Sequence, residues 1–404
     1  MINISKIGQG ITPSPIRKMF NIASTMSNVI SFTVGEPDFV TPVNIINAAT
    51  QAMQDGQTHY TLNSGVLPLR EAIARRLKKR NSLEVDPEKE VIVTAGGMEA
   101  LMLCMMVLIN PGDEVIISDP YWPNYLEQIK ICGGIPRFVK VYEKDGFVYN
   151  LDNIKEAINY KTKAIIINSP ANPTGGIVNK DTLREIAKMV VENGLIVISD
   201  EVYQHFVYDD AEFISIATFD GMKERTIIID SFSKTYAMTG WRVGYGAGPE
   251  EVIKNMIRLH ENVVGCINTP AQYAAIEAIT GTQEPLKYMI DKYMIRRELI
   301  IQGINNIEGL SCIRPKGAFY VFVNISKSNM SSEEFSVRLL KSNGVVVVPG
   351  SGFGEGGEGF IRMSYATSEE NIIEGLSRIK HFMQSVERKN FIVDKINKKL
   401  LIQK

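Results

Sequence analysis

At 404 residues, with 45% hydrophobic and 22% charged, the chain has the composition of an ordinary globular protein and not of a disordered or fibrous one. That length exceeds what a single core usually fills, so two domains, or one large domain with an appendage, are expected. A formal net charge of -1 gives no electrostatic case for nucleic acid or an anionic membrane, and the longest apolar run, near residues 101–109, is too short to span a bilayer.

The opening residues, Met1-Ile2-Asn3-Ile4-Ser5-Lys6, lack a signal-peptide pattern, which makes a cytoplasmic location the default expectation. From about residue 91 to residue 250, short apolar runs alternate with helical patterns, the signature of an α/β fold with a mainly parallel sheet covered by helices. Residues 91–94, 114–118, 164–168, 195–199 and 226–230 read as buried strands, and residues 98–109, 180–193 and 250–262 as helices. Beyond about 285 the pattern becomes a mixture: a charged helix containing Arg296, Arg297 and Glu298, a strand from Ala318, a helix, the run from Val345 to Val348, and a strand from Phe360. The expected division is 1–45 as an N-terminal segment joining a small domain, 46–284 as a large domain, 285–385 as the small domain and 386–404 as a solvated helical tail.

Cys104, Cys132, Cys266 and Cys312 are scattered without CxxC or metal-ligand spacing, which predicts free thiols and no metal. His59, His205, His260 and His381 are equally dispersed and read as structural or surface residues.

In open α/β sheets ligands bind outside the carboxyl ends of the strands, so the residues after each apolar run deserve inspection. Three runs lead into Ser169-Pro-Ala-Asn172-Pro-Thr-Gly, Asp200-Glu-Val-Tyr203 and Ser231-Phe-Ser233-Lys234. An amine, a carboxylate, a phenol and an amide facing one crevice suit a pyridine aldehyde. Lys234 could capture the aldehyde and carry the substrate's α-proton. Asp200 could keep the ring nitrogen protonated, because an opposite charge favours the cationic form. Tyr203 and Asn172 could hydrogen-bond the ring's phenolic oxygen.

A phosphate would find donors in the turn Gly96-Gly97-Met98 at a helix N-terminus, in Ser231 and Ser233, and in the guanidinium of Arg242. Trp122 could stack on the ring, and Arg362 could clamp a carboxylate bidentately. Taken singly, a Gly-Gly turn, a lysine after a strand and a tryptophan have plainer structural explanations. Their joint occurrence, in order, at strand ends is what points to a cofactor site. Glu99, Tyr121, Glu201 and Arg137 read as structural.

The run Ser231-Phe-Ser233-Lys234-Thr-Tyr-Ala-Met-Thr-Gly-Trp-Arg242 resembles the pyridoxal-phosphate lysine signature of the class I/II, fold-type I aminotransferases, the family of aspartate and aromatic aminotransferases. Gly35-Glu-Pro-Asp-Phe, His59-Tyr60, Gly96-Gly97, Asp119-Pro-Tyr-Trp122, Asn172-Pro-Thr-Gly and Arg362 extend the likeness over all but the C-terminal tail. The resemblance implies a large domain built on a seven-stranded, mainly parallel sheet, pyridoxal 5′-phosphate as cofactor, and amino-group transfer to a 2-oxo acid such as 2-oxoglutarate by a ping-pong route through pyridoxamine phosphate. It implies Lys234, Asp200 and Tyr203 as catalytic residues. Around the cofactor it places Gly96, Gly97, Met98, Trp122, Asn172, Ser231, Ser233 and Arg242, and on the substrate Gly35, Trp122, Asn172 and Arg362. A homodimer is implied, with Tyr60 reaching the partner subunit's phosphate.

Aspartate-using relatives often carry a lysine where this sequence has Met98, and a thioether cannot pair a carboxylate. Arg17 is a candidate substitute, and aspartate, aromatic and broad specificity all stay open. Among rival readings, β-elimination on sulfur amino acids uses the same lysine and aspartate. The spacing GxGxxG in Gly352-Phe-Gly354-Glu-Gly-Gly357 suggests a dinucleotide loop but leads into a strand, where that mechanism needs a helix N-terminus. A regulator that kept the cofactor domain would need a further N-terminal domain, and too few residues precede Gly35 for one.

Overall fold

The computed structural model describes residues 2, 4–11, 19, 21–24 and 26–402, with side chains as far as residue 386. Its strands are β1 (Ile30–Ser31), β2 (Val91–Thr94), β3 (Glu114–Asp119), β4 (Ile135–Lys140), β5 (Thr162–Asn168), β6 (Ile196–Asp200), β7 (Thr226–Ser231), β8 (Gly244–Ala247), β9 (Tyr320–Asn324), β10 (Val345–Val346), β11 (Val348–Pro349) and β12 (Phe360–Ser364). Two compact units are distinguished. One comprises the described residues of Met1–Thr12, Glu36–Lys292 and Lys316–Ala318, the other those of Pro13–Gly35, Tyr293–Pro315 and Phe319–Lys404.

The first unit is built on seven strands in the order β2-β8-β7-β6-β5-β3-β4, parallel throughout except for β8, which runs antiparallel to both neighbours. Side chains alternate across the sheet. Val91 and Val93 of β2 and Ile228 of β7 therefore enter one core, with Ala271 and Ala274 of the helix Thr269–Thr280. Ile92, Ile227 and Ile229 enter the other, with Leu101 and Met105 of the helix Gly97–Leu108 and Ile253 and Met256 of the helix Glu250–Val263. Burial on both faces is why β2, β5 and β7 are continuous apolar runs. The covering helix Lys180–Glu192 buries Leu183, Ile186, Ala187 and Val190 at helical spacing and starts where Asn179 accepts the Thr182 N–H.

Two strands depart from the expectation. β4 is an amphipathic edge strand with four of its residues exposed, and β8 has the sequence Gly-Tyr-Gly-Ala, so neither presents an apolar run.

In the second unit β11, β12 and β9 form an antiparallel sheet and β1 pairs with β10 in parallel. The apolar run expected at 345–348 is thus divided between two pairings. Residues Gly350–Phe353 and Glu355–Gly357 fold as 3₁₀ turns packed on each other, a Cβ at Gly350 lying 1.9 Å from the Gly357 carbonyl oxygen. The tail is no separate element but the end of one helix, Glu369–Ile402. Among the described residues no helix is long and apolar enough to cross a membrane.

Candidate active site

The carboxyl ends of β5, β6 and β7 lie side by side, since Asn168 is in register with Asp200 and Asp200 with Ile229. Asn168 fastens the ends together: its Nδ2 donates to the Asp200 carbonyl at 3.3 Å and its Oδ1 accepts the Asn172 N–H at 2.9 Å. Asn172 and Tyr203 are both buried in the segments that follow.

Asp200 is 3% exposed. The Tyr125 hydroxyl donates to Oδ2 and the Val202 N–H to Oδ1 at 3.3 Å. Burial pushes this carboxyl from the ordinary 3.8 up to about 6, against those two hydrogen bonds and the charge of Lys234, while nearby Asp230 adds to the rise. Lys234 itself is half-buried in the short helix Phe232–Thr235, which opens where the Ser231 Oγ accepts the Ser233 N–H at 3.1 Å.

Beside these ends stands the turn after β2. Gly96 adopts φ 78, open to glycine at little cost, and caps the helix Gly97–Leu108 without a side chain to occupy its first N–H groups. The Arg242 Nη2 sits 2.8 Å from where a Cβ at Gly96 would lie, and that guanidinium donates to the Thr239 and Ala95 carbonyls at 2.9 and 3.4 Å while staying exposed. Ser231 flanks Gly97, its Cβ 3.5 Å from a Cβ built there. Gly244 of β8 lies directly under the turn, where a Cβ would stand 2.5 Å from Gly96 C and Gly97 N. Gly96, Gly97, Ser231 and Arg242 therefore gather amide, hydroxyl and guanidinium groups at one turn.

At residue level the family question is decided by comparison with known proteins. A profile described as aminotransferase class I and II matches residues 27–379. The chain belongs to that family. It is 45% identical to an aspartate aminotransferase of Pyrococcus abyssi over 93% of this chain and 96% of that one. It is 41% identical to aromatic-amino-acid aminotransferase 2 of Thermococcus litoralis, over 93% and 96%. The crystal structure of an aromatic aminotransferase from Pyrococcus horikoshii superposes with a TM-score of 0.88 at 44% identity, covering 93% of this chain and 99% of that one. This is a fold-type I aminotransferase, and its coenzyme is pyridoxal 5′-phosphate.

The residues present fit that coenzyme. An acid held near 6 by burial is one that a cationic ring nitrogen would ionise, and the donor cluster at Gly96, Ser231 and Arg242 suits a dianionic phosphate. Trp122 sets its ring edge-on to Tyr125, centroids 5.2 Å apart, beside the Tyr125–Asp200 pair. Met98 is engaged by two amides, its Sδ receiving Asn124 Nδ2 and Gln128 Nε2 at 3.3 Å each.

Gly35 and Arg362 of this aminotransferase belong to the second unit and meet around one side chain. A Cβ at Gly35 would fall 2.2 Å from the Tyr320 hydroxyl, and the Arg362 guanidinium carbon lies 4.6 Å from the Tyr320 ring centroid and 5.0 Å from that of Phe353. Arg362 is 1% exposed, and its Nη2 donates to the Thr33 carbonyl. Tyr60 is 96% exposed, and Arg17 lies outside the described residues.

Three side chains the sequence did not single out, Tyr125, Asn168 and Tyr320, also stand among these groups. Only Tyr125 carried a usable signal, because three residues beyond Trp122 on a helix it shares that residue's face.

Proposed function

We propose that this aminotransferase moves the amino group of an L-amino acid, aspartate or aromatic or a range spanning both, to 2-oxoglutarate in two half-reactions. The observation that carries the residue assignment is Asp200, an enclosed carboxyl that burial raises to about 6 and that lies within the field of Lys234. Bound coenzyme supplies an aldehyde for the substrate amine and a ring that withdraws electrons from the α-carbon. Lys234 takes the covalent link through Nζ and the proton transfer at the substrate α-carbon. Asp200 holds the proton at the ring nitrogen, with Tyr125 fixing the carboxylate. Tyr203 and Asn172 would donate to the ring oxygen, Trp122 would stack on the ring, and Gly96, Gly97, Met98, Ser231, Ser233 and Arg242 would hold the phosphate. Arg362 and the backbone of Gly35 receive the substrate carboxylate, the flanking rings of Tyr320 and Phe353 keeping the guanidinium oriented.

The same reading assigns a homodimer in which Tyr60 reaches the partner's phosphate, supported by the near-complete exposure of that side chain. A cytoplasmic location belongs to it as well, supported by the thiols of Cys104, Cys132 and Cys266.

Holoenzyme given a single L-amino acid should convert its coenzyme to the amine form without releasing ammonia; steady ammonia release would replace transamination by elimination. Borohydride reduction followed by peptide mapping should place the coenzyme on Lys234, and Lys234→Ala should still fold while losing transamination by on the order of 10²-fold or more. Retained wild-type turnover in that variant would defeat the assignment.

A further inference from the structure

We propose that Glu99 and His260 are positioning residues for the coenzyme phosphate, a buried carboxylate–imidazole strut that fixes the backbone of the Gly96–Gly97 turn. The proposal rests on the assignment of that turn to the phosphate.

A glutamate in the first turn of a helix ordinarily bends back to accept the cap residue's N–H. Glu99 reaches one residue further. Its Oε2 accepts the Ala95 N–H at 2.5 Å, and its Oε1 accepts from His260 Nδ1 at 2.7 Å. Both oxygens are thus directed away from the helix's own first amides. Gly96 brings no side chain to them either, so the N–H groups of Gly97 and Met98 remain available to an anion. The Ala95 bond also fixes the residue whose carbonyl receives Arg242. One side chain therefore sets both the amide and the guanidinium halves of the cluster.

His260 gives the strut its footing. Its side chain is fully buried, that of Glu99 is 10% exposed, and His260 lies one and two helical turns beyond Met256 and Ile253. Those two residues enter the same core as Leu101 and Met105 of the helix that Glu99 opens. Core packing, not a solvated contact, thereby sets the imidazole's position. Among the described residues His260 Nε2 is buried without a hydrogen-bond partner. A ring buried at that cost for a single bond is explained if the bond to Glu99 does something an apolar side chain would not. The Nδ1–H dipole also faces the Glu99 charge and reduces its repulsion of a phosphate.

Cofactor-free protein should be titrated with pyridoxal phosphate and with pyridoxal, which lacks the phosphate. Glu99→Ala and His260→Leu should weaken pyridoxal phosphate binding about tenfold, the worth of one buried hydrogen bond, and leave pyridoxal binding unchanged. The isosteric variants should restore affinity. In His260→Asn the amide nitrogen takes the place of Nδ1, and in Glu99→Gln the amide oxygen keeps the Ala95 bond. The ³¹P resonance of bound coenzyme should move in Glu99→Ala and His260→Leu only. If wild type binds both compounds equally, the phosphate assignment itself fails. If wild type prefers the phosphorylated compound but Glu99→Ala and His260→Leu weaken both compounds alike, or neither, the assignment stands and the strut is overturned. Should those two variants not fold, an unshifted ³¹P resonance and unchanged affinity in Glu99→Asp, whose shorter arm cannot span both partners, would overturn it equally.

Discussion

Asp200 and Glu201 are consecutive acids, both fully enclosed, yet their surroundings suit them to different work. Asp200 lies in the field of Lys234 at the carboxyl end of β6. Glu201 accepts hydrogen bonds from neutral donors: Ser199 and Ser215 hydroxyls reach its Oε1 at 2.9 and 2.6 Å, and Asn81 Nδ2 reaches Oε2 at 3.2 Å. Burial pushes Glu201 from 4.5 up to about 7, which those hydrogen bonds only partly oppose. A folded protein that keeps a proton the unfolded chain has lost becomes less stable as pH rises through that window, by up to about 3 kcal/mol, and levels off above 7. Glu201→Gln removes the titration and keeps the serine bonds, and Asn81, whose Oδ1 is buried without a donor, can turn its amide to match. Melting of cofactor-free protein between pH 4 and 8 should therefore show the variant gaining on wild type as pH rises, and parallel curves would contradict the burial argument. Substrate choice is also a residue-scale question. Met98 offers sulfur where a dicarboxylate would need a cation, so Met98→Lys should raise kcat/KM for aspartate relative to phenylalanine by roughly tenfold, about 1.4 kcal/mol. An unchanged ratio would place the distal-group contact elsewhere. Side-chain type at the ends of apolar runs singled out Lys234 and Asp200, and the structure sets Asp200 at the end of β6 and Lys234 just beyond β7. Asn168 was not singled out, since an asparagine ending a strand acquires its role only through the fold, and Tyr125 offered no more than its helical spacing from Trp122.

At the scale of elements, the strands that could be read were those buried on both faces, where the sheet demands unbroken apolar sequence. β4 escaped because an exposed edge tolerates Pro136, Arg137 and Lys140. β8 escaped because its glycines are there for contact, not for strand preference. Gly244 and Gly246 make the point testable, for they differ in what a methyl group would strike. At 244 it meets backbone, Gly96 C and Gly97 N, which cannot yield without moving the Gly96–Gly97 turn; at 246 the nearest atom is the flexible end of Met256, 3.1 Å away. Gly244→Ala should cost about 1–3 kcal/mol and lower affinity for pyridoxal phosphate, whereas Gly246→Ala should cost less and leave affinity alone. Thermal melts with a coenzyme titration distinguish the two, and equal effects would show that the turn does not rest on β8. The terminal helix teaches a related lesson. A boundary at 386 followed a change toward lysine, but nothing in Glu369–Ile402 breaks a helix there, so the element runs on as one.

At the scale of the whole molecule, the decisive question is whether one chain completes its own phosphate site. Tyr60 and Leu62, 96% and 65% exposed, place a large apolar surface at the end of the segment before the helix Leu67–Asn81, which is unusual unless another chain covers it. If Tyr60 serves the partner's coenzyme, then defects at Lys234 and Tyr60 belong to different sites even when they lie on the same chain. Subunits carrying Lys234→Ala, mixed with subunits carrying Tyr60→Phe, would form heterodimers in which one site collects both defects and the other is wild type. At coenzyme concentrations that leave Tyr60→Phe protein largely empty, the mixture should exceed the average activity of its parents. If Tyr60 acted within its own chain, every heterodimer site would carry one defect, and the mixture would only equal that average. The comparison therefore tests shared sites directly, and sedimentation of the same samples reports whether the subunits have paired.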